Sequence, residues 1–314
     1  MTQILTTIGK QGVVVFGAAN VDISASAALT LAVGDSTPGR ITNTAGGVGR
    51  NVAENLARLG HNVKLVSAVG DDLQSQFLLD HTRRAGVDVS ACNVLPGQTT
   101  GTYLSLNNPD GSLLAAVNDM AVLGLLTPRH LAIHAAGLAN ARAWVVDCNL
   151  SEACLEWVVP NRSGKAVFVD GVSSHKCLKI LPYLAHIHTL KINRLEAQAL
   201  TGLPVDSVTQ AITAAQSLCA LGTQNVVVSL GSGGVCWSSL GSHGQLPAIQ
   251  VNVANSNGAG DALTAGLVHG ALADWPLDQA VSFANACAAF TLTSSGANHP
   301  DLNAANASRL LAPH

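Results

Sequence analysis

Residues 255–266 read Asn255-Ser256-Asn257-Gly258-Ala259-Gly260-Asp261-Ala262-Leu263-Thr264-Ala265-Gly266. A turn of small residues runs into an apolar, helix-forming stretch, and a lone carboxylate sits at the junction. In the first turn of a helix several backbone N–H groups have no intrahelical acceptor. The helix dipole adds partial positive charge there. Gly258, Ala259 and Gly260 leave these groups uncovered, so the junction reads as an anion site. A carboxylate beside an anion is electrostatically unfavourable unless it has work to do on a proton. The pattern fits a general base, Asp261, next to donors that hold the charge of a transferred phosphoryl group. The competing reading is an ordinary aspartate at a helix start. The twelve residues alone leave both open.

Working outward, strands and helices alternate. Val13-Val14-Val15-Phe16-Gly17 is a short apolar run of the kind that forms a buried parallel strand. Val48 to Leu59 has helical spacing, with Val52, Leu56 and Leu59 on one face and Gly60 as its stop. Strands are expected at 63–69, 143–146, 166–169, 189–191 and 225–229. Helices are expected at 73–85, 151–159, 178–184, 195–201 and 208–221. This rhythm predicts an α/β fold: a mostly parallel sheet with helices on both faces. Two segments break it. Residues 23–44 are rich in Ser, Thr and Gly without a helical period. Residues 99–117 carry two β-like arms around Asn108-Pro109-Asp110-Gly111, a turn signal. The two segments are expected to form a small sheet beside the main one, placed to act as a lid over a pocket.

Composition narrows the partners. Of 314 residues only 11% are charged, the formal net charge is -3 and no basic run occurs, so a nucleic-acid partner is not expected. Seven cysteines without a CxxC pair read as reduced thiols. The first twelve residues lack the pattern of an export leader. No apolar run approaches the roughly 18 residues of a membrane span. A cytoplasmic protein without a membrane partner is the expectation.

Three further clusters carry chemistry. Ala45-Gly46-Gly47-Val48-Gly49-Arg50-Asn51 opens a helix with a second glycine turn. Asn193 and Glu196 lie three apart, on one helical face. They fit a hydrated Mg²⁺, which keeps several waters and needs few protein oxygens, and equally a capping box. Ser229-Leu230-Gly231-Ser232-Gly233-Gly234 follows a strand, where open α/β sheets bind ligands.

In this order the pieces resemble the ribokinase-like (PfkB) carbohydrate kinases. The resemblance rests on Asn20-Val21-Asp22, GGVGRN at 46–51, NRLE at 193–196 and GAGD at 258–261, and it covers nearly the whole chain. It implies one domain over 1–314: a three-layer α/β/α sandwich with a mostly parallel central sheet and a small β-sheet lid from about 23–44 and 99–118. Within the family, PGRITNTAGGVGRNVAENLARLG (38–60), TYLSLNNPDGSLLAAVNDM (102–120) and HTLKINRLEAQALTG (188–202) are similar to the branch that phosphorylates the 5′-hydroxyl of pseudouridine. ATP and Mg²⁺ are then the implied cofactors, and a homodimer through the lid the implied assembly.

Roles follow from the resemblance position by position. Asp261 matches the base, and Gly258, Ala259 and Gly260 its anion hole. Asp22, with Asn20, and Gly46, Gly47 and Asn51 match the sugar site. Asn193 and Glu196 match the magnesium and phosphate site. Ser229, Gly231, Gly234 and Asn285 match the nucleotide side. Thr102, Asn118, Asp119, Asn149, Asp170 and Lys176 are further candidates for substrate contacts. Arg50 is open between phosphate binding and pairing with an acid of the lid. Three departures stand out. Asn255 and Asn257 offer no negative charge where many relatives bind potassium, which puts monovalent-ion activation in doubt. Ile192 and Gly171 stand where the family commonly has proline, and looser turns are expected at both. Another sugar or nucleoside (ribose, uridine) is the rival substrate. A non-catalytic ligand-binding homologue is the rival from a different class.

Overall fold

The run Gly12–Phe16 forms strand β1, buried along almost its whole length. Its alternating residues face two ways. Val14 and Phe16 join one apolar cluster, Val13 and Val15 another. A strand with both faces apolar belongs inside a sheet covered by helices on each side. The computed structural model describes residues 12–32, 34–134, 141–161 and 164–311. Of the first twelve residues, read above as lacking a leader, all but Gly12 lie outside the described residues.

The other strands of this sheet are β4 (Asn62–Gly70), β5 (Val87–Leu95), β8 (Ala143–Asp147), β9 (Ala166–Asp170), β10 (Thr189–Asn193), β11 (Asn225–Ser229), β12 (Val235–Ser239) and β13 (Ser242–Leu246). Among the described residues they make nine strands with β1, in the order β13-β12-β11-β10-β9-β8-β1-β4-β5. Seven run parallel, and β12 and β13 turn back antiparallel at one edge. One face is covered by α1 (Val48–Arg58), α2 (Leu73–Arg84), α8 (Ala259–Leu272), α9 (Leu277–Leu292) and α10 (Ala304–Arg309). The other carries α3 (Ala121–Gly124), α4 (Pro128–Ile133), α5 (Glu152–Val158), α6 (Arg194–Thr201) and α7 (Val208–Ala220). The result is the expected α/β/α sandwich. In α1, Val52 and Leu56 are completely buried, each contributing about 1.5–3 kcal/mol of burial.

The segment Lys176–His186 is a 3-10 helix rather than the expected α-helix. Pro182 lies inside it and removes a backbone donor. Ile192 does not loosen a turn. It continues β10, fully buried and paired with Val228, and carries the strand on to Asn193.

A second sheet has the order β3-β2-β6-β7, from β2 (Asn20–Ala27), β3 (Gly39–Gly46), β6 (Thr102–Asn107) and β7 (Leu113–Asp119). The turn between β6 and β7 is the Asn108–Gly111 stretch. There Gly111 N–H donates to Asn108 O at 2.9 Å, and Asp110 accepts from Ser112 N–H at 2.9 Å. Register sorts the sheet into two unlike faces. Asp22, Ser24, Thr42, Thr44, Tyr103, Ser105, Asn107 and Asn118 share one. Ile23, Ile41, Leu104, Leu106 and Val117 share the other. Among the described residues no helix is long and apolar enough to cross a membrane.

Candidate active site

Parallel register builds the floor of the site. Asp147 ends β8 opposite Asp170 of β9, and Asp170 lies opposite Lys191 of β10. The three side chains stand in a row at the carboxyl ends of the strands, on the face covered by α8. All three are buried. Lys191 Nζ reaches Asp170 Oδ2 at 3.1 Å, and the Thr264 hydroxyl donates to the same oxygen at 2.7 Å. Burial opposes the charge of Lys191, yet Asp170, Asp261 and Glu196 hold its pKa above the ordinary value. Asp147 accepts from the backbone N–H groups of Ala18 and Gly49, each at 2.8 Å, and from that of Asn149 at 2.8 Å. Burial still lifts its carboxyl to about 6.

Asp261 enters from above on the first turn of α8. Gly258 is the N-cap, at φ 78, with no side chain capping the helix. Only a glycine fits there, because the space a Cβ would take lies 1.8 Å from Ala297 O. Lys191 Nζ rests against Gly260, 2.7 Å from where its Cβ would be. Asp170 balances the ammonium there, and the open turn and the buried lysine meet beside Asp261. The Asn51 amide donates to Asp261 Oδ2 at 2.7 Å. Burial first, then repulsion from Asp170, push the Asp261 carboxyl up to about 7. A carboxyl poised near neutrality is suited to exchanging protons with a hydroxyl.

Asp22 lies on the polar face of the small sheet. It is seated over Gly46, where an added Cβ would come within 2.2 Å of Asp22 Oδ2. Asn20 Nδ2 donates to its Oδ1 at 2.6 Å. Burial raises its pKa. Gly47, at φ 99, makes the turn into α1. Asn118 shares the face of Asp22. Thr102 and Asp119 do not: they pair with each other on the opposite face. The Thr102 hydroxyl donates to Gln74 Oε1 at 2.9 Å, and Asp119 accepts from Ala121 N–H at the start of α3. Asn149 and Lys176 meet each other, Nζ to Oδ1 at 2.6 Å.

Asn193 and Glu196 do form a capping box on α6. Asn193 Oδ1 accepts from Glu196 N–H at 3.0 Å, while Glu196 Oε2 accepts from Asn193 N–H at 2.8 Å. Glu196 is buried, and burial raises its pKa against the pull of Lys191. Gly171 leaves room for it: a Cβ there would lie 2.6 Å from Glu196 Oε2. That clearance, rather than a looser turn, is what the glycine supplies. The positive φ falls on the next residue, Val172, at 67°. Among the described residues no group of three or more His, Cys, Asp or Glu side chains could hold a metal ion. Asn193 and Glu196 are compatible with a hydrated Mg²⁺ held mainly by phosphates, which needs few protein oxygens. Ser229 pairs with Asn193 across β10 and β11, and Gly231 and Gly234 bound the short 3-10 turn that follows. Asn285, on α9, donates to Pro247 O at 3.0 Å.

Comparison with known proteins matches residues 10–304 to the pfkB family carbohydrate kinases. The chain belongs to the PfkB carbohydrate kinase family. It is 41% identical over 298 residues to the pseudouridine kinase of Escherichia coli K12, covering 95% of each chain. It is 42% identical over 299 residues to the uncharacterized sugar kinase YeiI of the same organism, covering 95% of this chain and 83% of that one. Among solved structures it resembles a putative sugar kinase from Clostridium perfringens, with TM-score 0.85, 29% identity and 96% of both chains covered. This PfkB kinase is thus a phosphotransferase acting on an alcohol group, of the sugar and nucleoside kinase class.

Two buried charges of this cluster carry no signal in the sequence. Asp147 and Lys191 look like single polar interruptions of apolar strands, and their meeting depends on a strand order that one sequence does not reveal. Arg50 neither meets a lid acid nor lies open to phosphate. It is buried and paired with Glu54 of its own helix, four residues on.

Proposed function

We propose that the chain phosphorylates the 5′-hydroxyl of pseudouridine, with ATP as phosphoryl donor and Mg²⁺ as metal. The observation that carries the kinase chemistry is Asp261: buried, poised near neutrality, held by Asn51, and set beside the uncapped start of α8. The 41% relative supports the nucleoside. Asp22 accepts from the ribose hydroxyls, and losing such a partner in a buried polar site is costly. The polar face of the small sheet supplies Asn107 and Asn118 toward a base edge. Asp261 removes the proton of the 5′-hydroxyl as its oxygen bonds to the terminal phosphorus of ATP, whose bond to the departing ADP oxygen breaks. The first-turn N–H groups of α8 and Lys191 take up charge on the transferred group. When bound, ATP supplies that group and Mg²⁺ neutralises the phosphate oxygens, held on the side of Asn193, Glu196, Ser229, Gly231, Gly234 and Asn285. The small sheet acts as a lid that excludes water, and its apolar face joins two copies as a homodimer. A cytoplasmic setting accords with seven free cysteines.

Potassium has no evident place. The Asn255 amide donates to Ser295 O at 2.9 Å, and its carbonyl accepts from Asn257 N–H at 3.0 Å. One neutral side chain closes the segment where a cation would need oxygens. A second substrate reading, ribose or another sugar, draws support from the similarity to YeiI.

The test is nucleoside-dependent ATP turnover with Mg²⁺ across pseudouridine, uridine and ribose, in potassium or choline salts, with Asp261→Asn alongside. Preference for pseudouridine, indifference to the salt, and a loss of at least about 10²-fold in Asp261→Asn are expected. Preference for ribose or uridine overturns the substrate. Full activity of Asp261→Asn overturns the base.

A further inference from the structure

Arg50 has no part in that reading, yet its guanidinium reaches three parts of the site. Nε donates to Gly46 O at 3.1 Å, in the turn beneath Asp22. One terminal nitrogen pairs with Glu54 at 2.5 Å. The other donates to Asn298 Oδ1 at 2.5 Å and to Asn51 Oδ1. The Asn51 amide is therefore caught between two charges. Its carbonyl meets the guanidinium, and its Nδ2 meets Asp261. Turned over, it would set NH₂ against the guanidinium and a carbonyl against the carboxylate, losing two charge-assisted hydrogen bonds. Asn298 steadies the backbone of the same residue, donating to Asn51 O at 2.9 Å.

We propose that Arg50 is a positioning residue for phosphoryl transfer: it fixes the Asn51 amide so that one oxygen of Asp261 is always occupied and the other faces the acceptor hydroxyl. This rests on the reading of Asp261 as the base. Arg50 also ties the Asp22 turn to the same guanidinium, so sugar seat and base are held in one frame. The charged and titratable groups facing Asp261 are Arg50 of α1, Asp147 of β8, Asp170 of β9 and Lys191 of β10. Of the hydrogen bonds among these, the Asn51 bond is the one that Arg50 sets directly. It favours the ionised carboxylate, so disturbing it raises the pH at which Asp261 ionises.

The experiment is the pH profile of kcat/KM, which reports the free enzyme, for wild type, Arg50→Lys, Asn51→Ala and their double variant, using the fastest substrate of the turnover screen. For Arg50→Lys the acid limb is expected to rise by about one pH unit, giving about tenfold loss at pH 6 and recovery to within about twofold by pH 9. In the Asn51→Ala background Arg50→Lys should add no further shift. A loss of equal size at every pH, no loss, or a full further shift in the double variant overturns the proposal. If Arg50→Lys does not fold, Arg50→Met with Glu54→Met removes both buried charges and is measured with and without Asn51→Ala: a raised limb that gains nothing further in the Asn51→Ala background supports, a uniform loss or a full further shift there overturns. Asp261→Asn separates the two claims. If it keeps the wild-type limb, the base reading fails whatever Arg50 does.

Discussion

At the scale of single residues, the site is a problem of packing charges without water. Asp147, Asp170 and Asp261 share the neighbourhood with one buried ammonium, Lys191. Burial, and after it repulsion from Asp170, lifts two of the carboxyls, to about 6 at Asp147 and about 7 at Asp261. Small residues make the closeness possible. Gly46→Ala would drive a methyl to 2.2 Å from Asp22 Oδ2, in a seat closed by Asn20. Asp22 must then move. The expected result is a rise of about tenfold or more in KM for the sugar or nucleoside acceptor, since one charge-assisted hydrogen bond is worth about 1.5–3 kcal/mol. KM for ATP should stay unchanged, and steady-state kinetics with each substrate varied in turn separates the two.

At the scale of elements, α8 is held at both ends by unlike chemistry. Its start carries the site. Near its end His269 meets His61, which follows α1, ring nitrogen to ring nitrogen at 2.9 Å, beside Trp275 and Phe283. A shared hydrogen bond needs one ring to accept, so at least that ring is neutral. Burial lowers both imidazoles from 6.5 to about 4. The unfolded chain therefore takes up protons first. Stability is fully present above pH 6.5 and is lost as pH falls toward 4, by on the order of a few kcal/mol for the pair. Urea midpoints measured between pH 7.5 and 4.5 should fall, and His61→Leu with His269→Phe should flatten that dependence. Much of this element plan was legible in the sequence, because periodicity, Gly60, the Asn108–Gly111 turn and the 258–261 junction each act locally. What was not legible depends on distance. Strand β5, the β12–β13 edge and α9 are missing from the expected plan although Gly86, Gly97, Gly241 and Pro276 flank them, because their apolar runs alone do not tell strand from helix. The Asp147–Asp170–Lys191 row exists only because β8, β9 and β10 become neighbours in register. Arg50 stays open in the sequence between phosphate and a lid acid, since nothing near it announces that Asn298 will close over it.

At the scale of the whole molecule, the small sheet divides its labour by face. Ile41 and Val117 are 71% and 68% exposed on the apolar side, and Leu113 and Leu114 are exposed nearby. If this side joins two copies, Ile41→Lys with Val117→Lys should convert a dimer into a monomer in light scattering after gel filtration, with substrate turnover measured on the separated species. A sheet with β3 and β7 at its edges and an uncovered apolar face is otherwise an invitation to aggregation. The alternation behind this division also constrains how the protein can change over generations. Asp22 and Ile23 are consecutive residues facing opposite sides. Losing or gaining one codon within β2 would present isoleucine to the polar face and aspartate to the outer face in a single step. Substitutions can tune either side separately, but length changes there are tolerable only in pairs. Insertions should instead collect at the hairpin tip between Asn108 and Ser112, where extra residues leave both faces in phase.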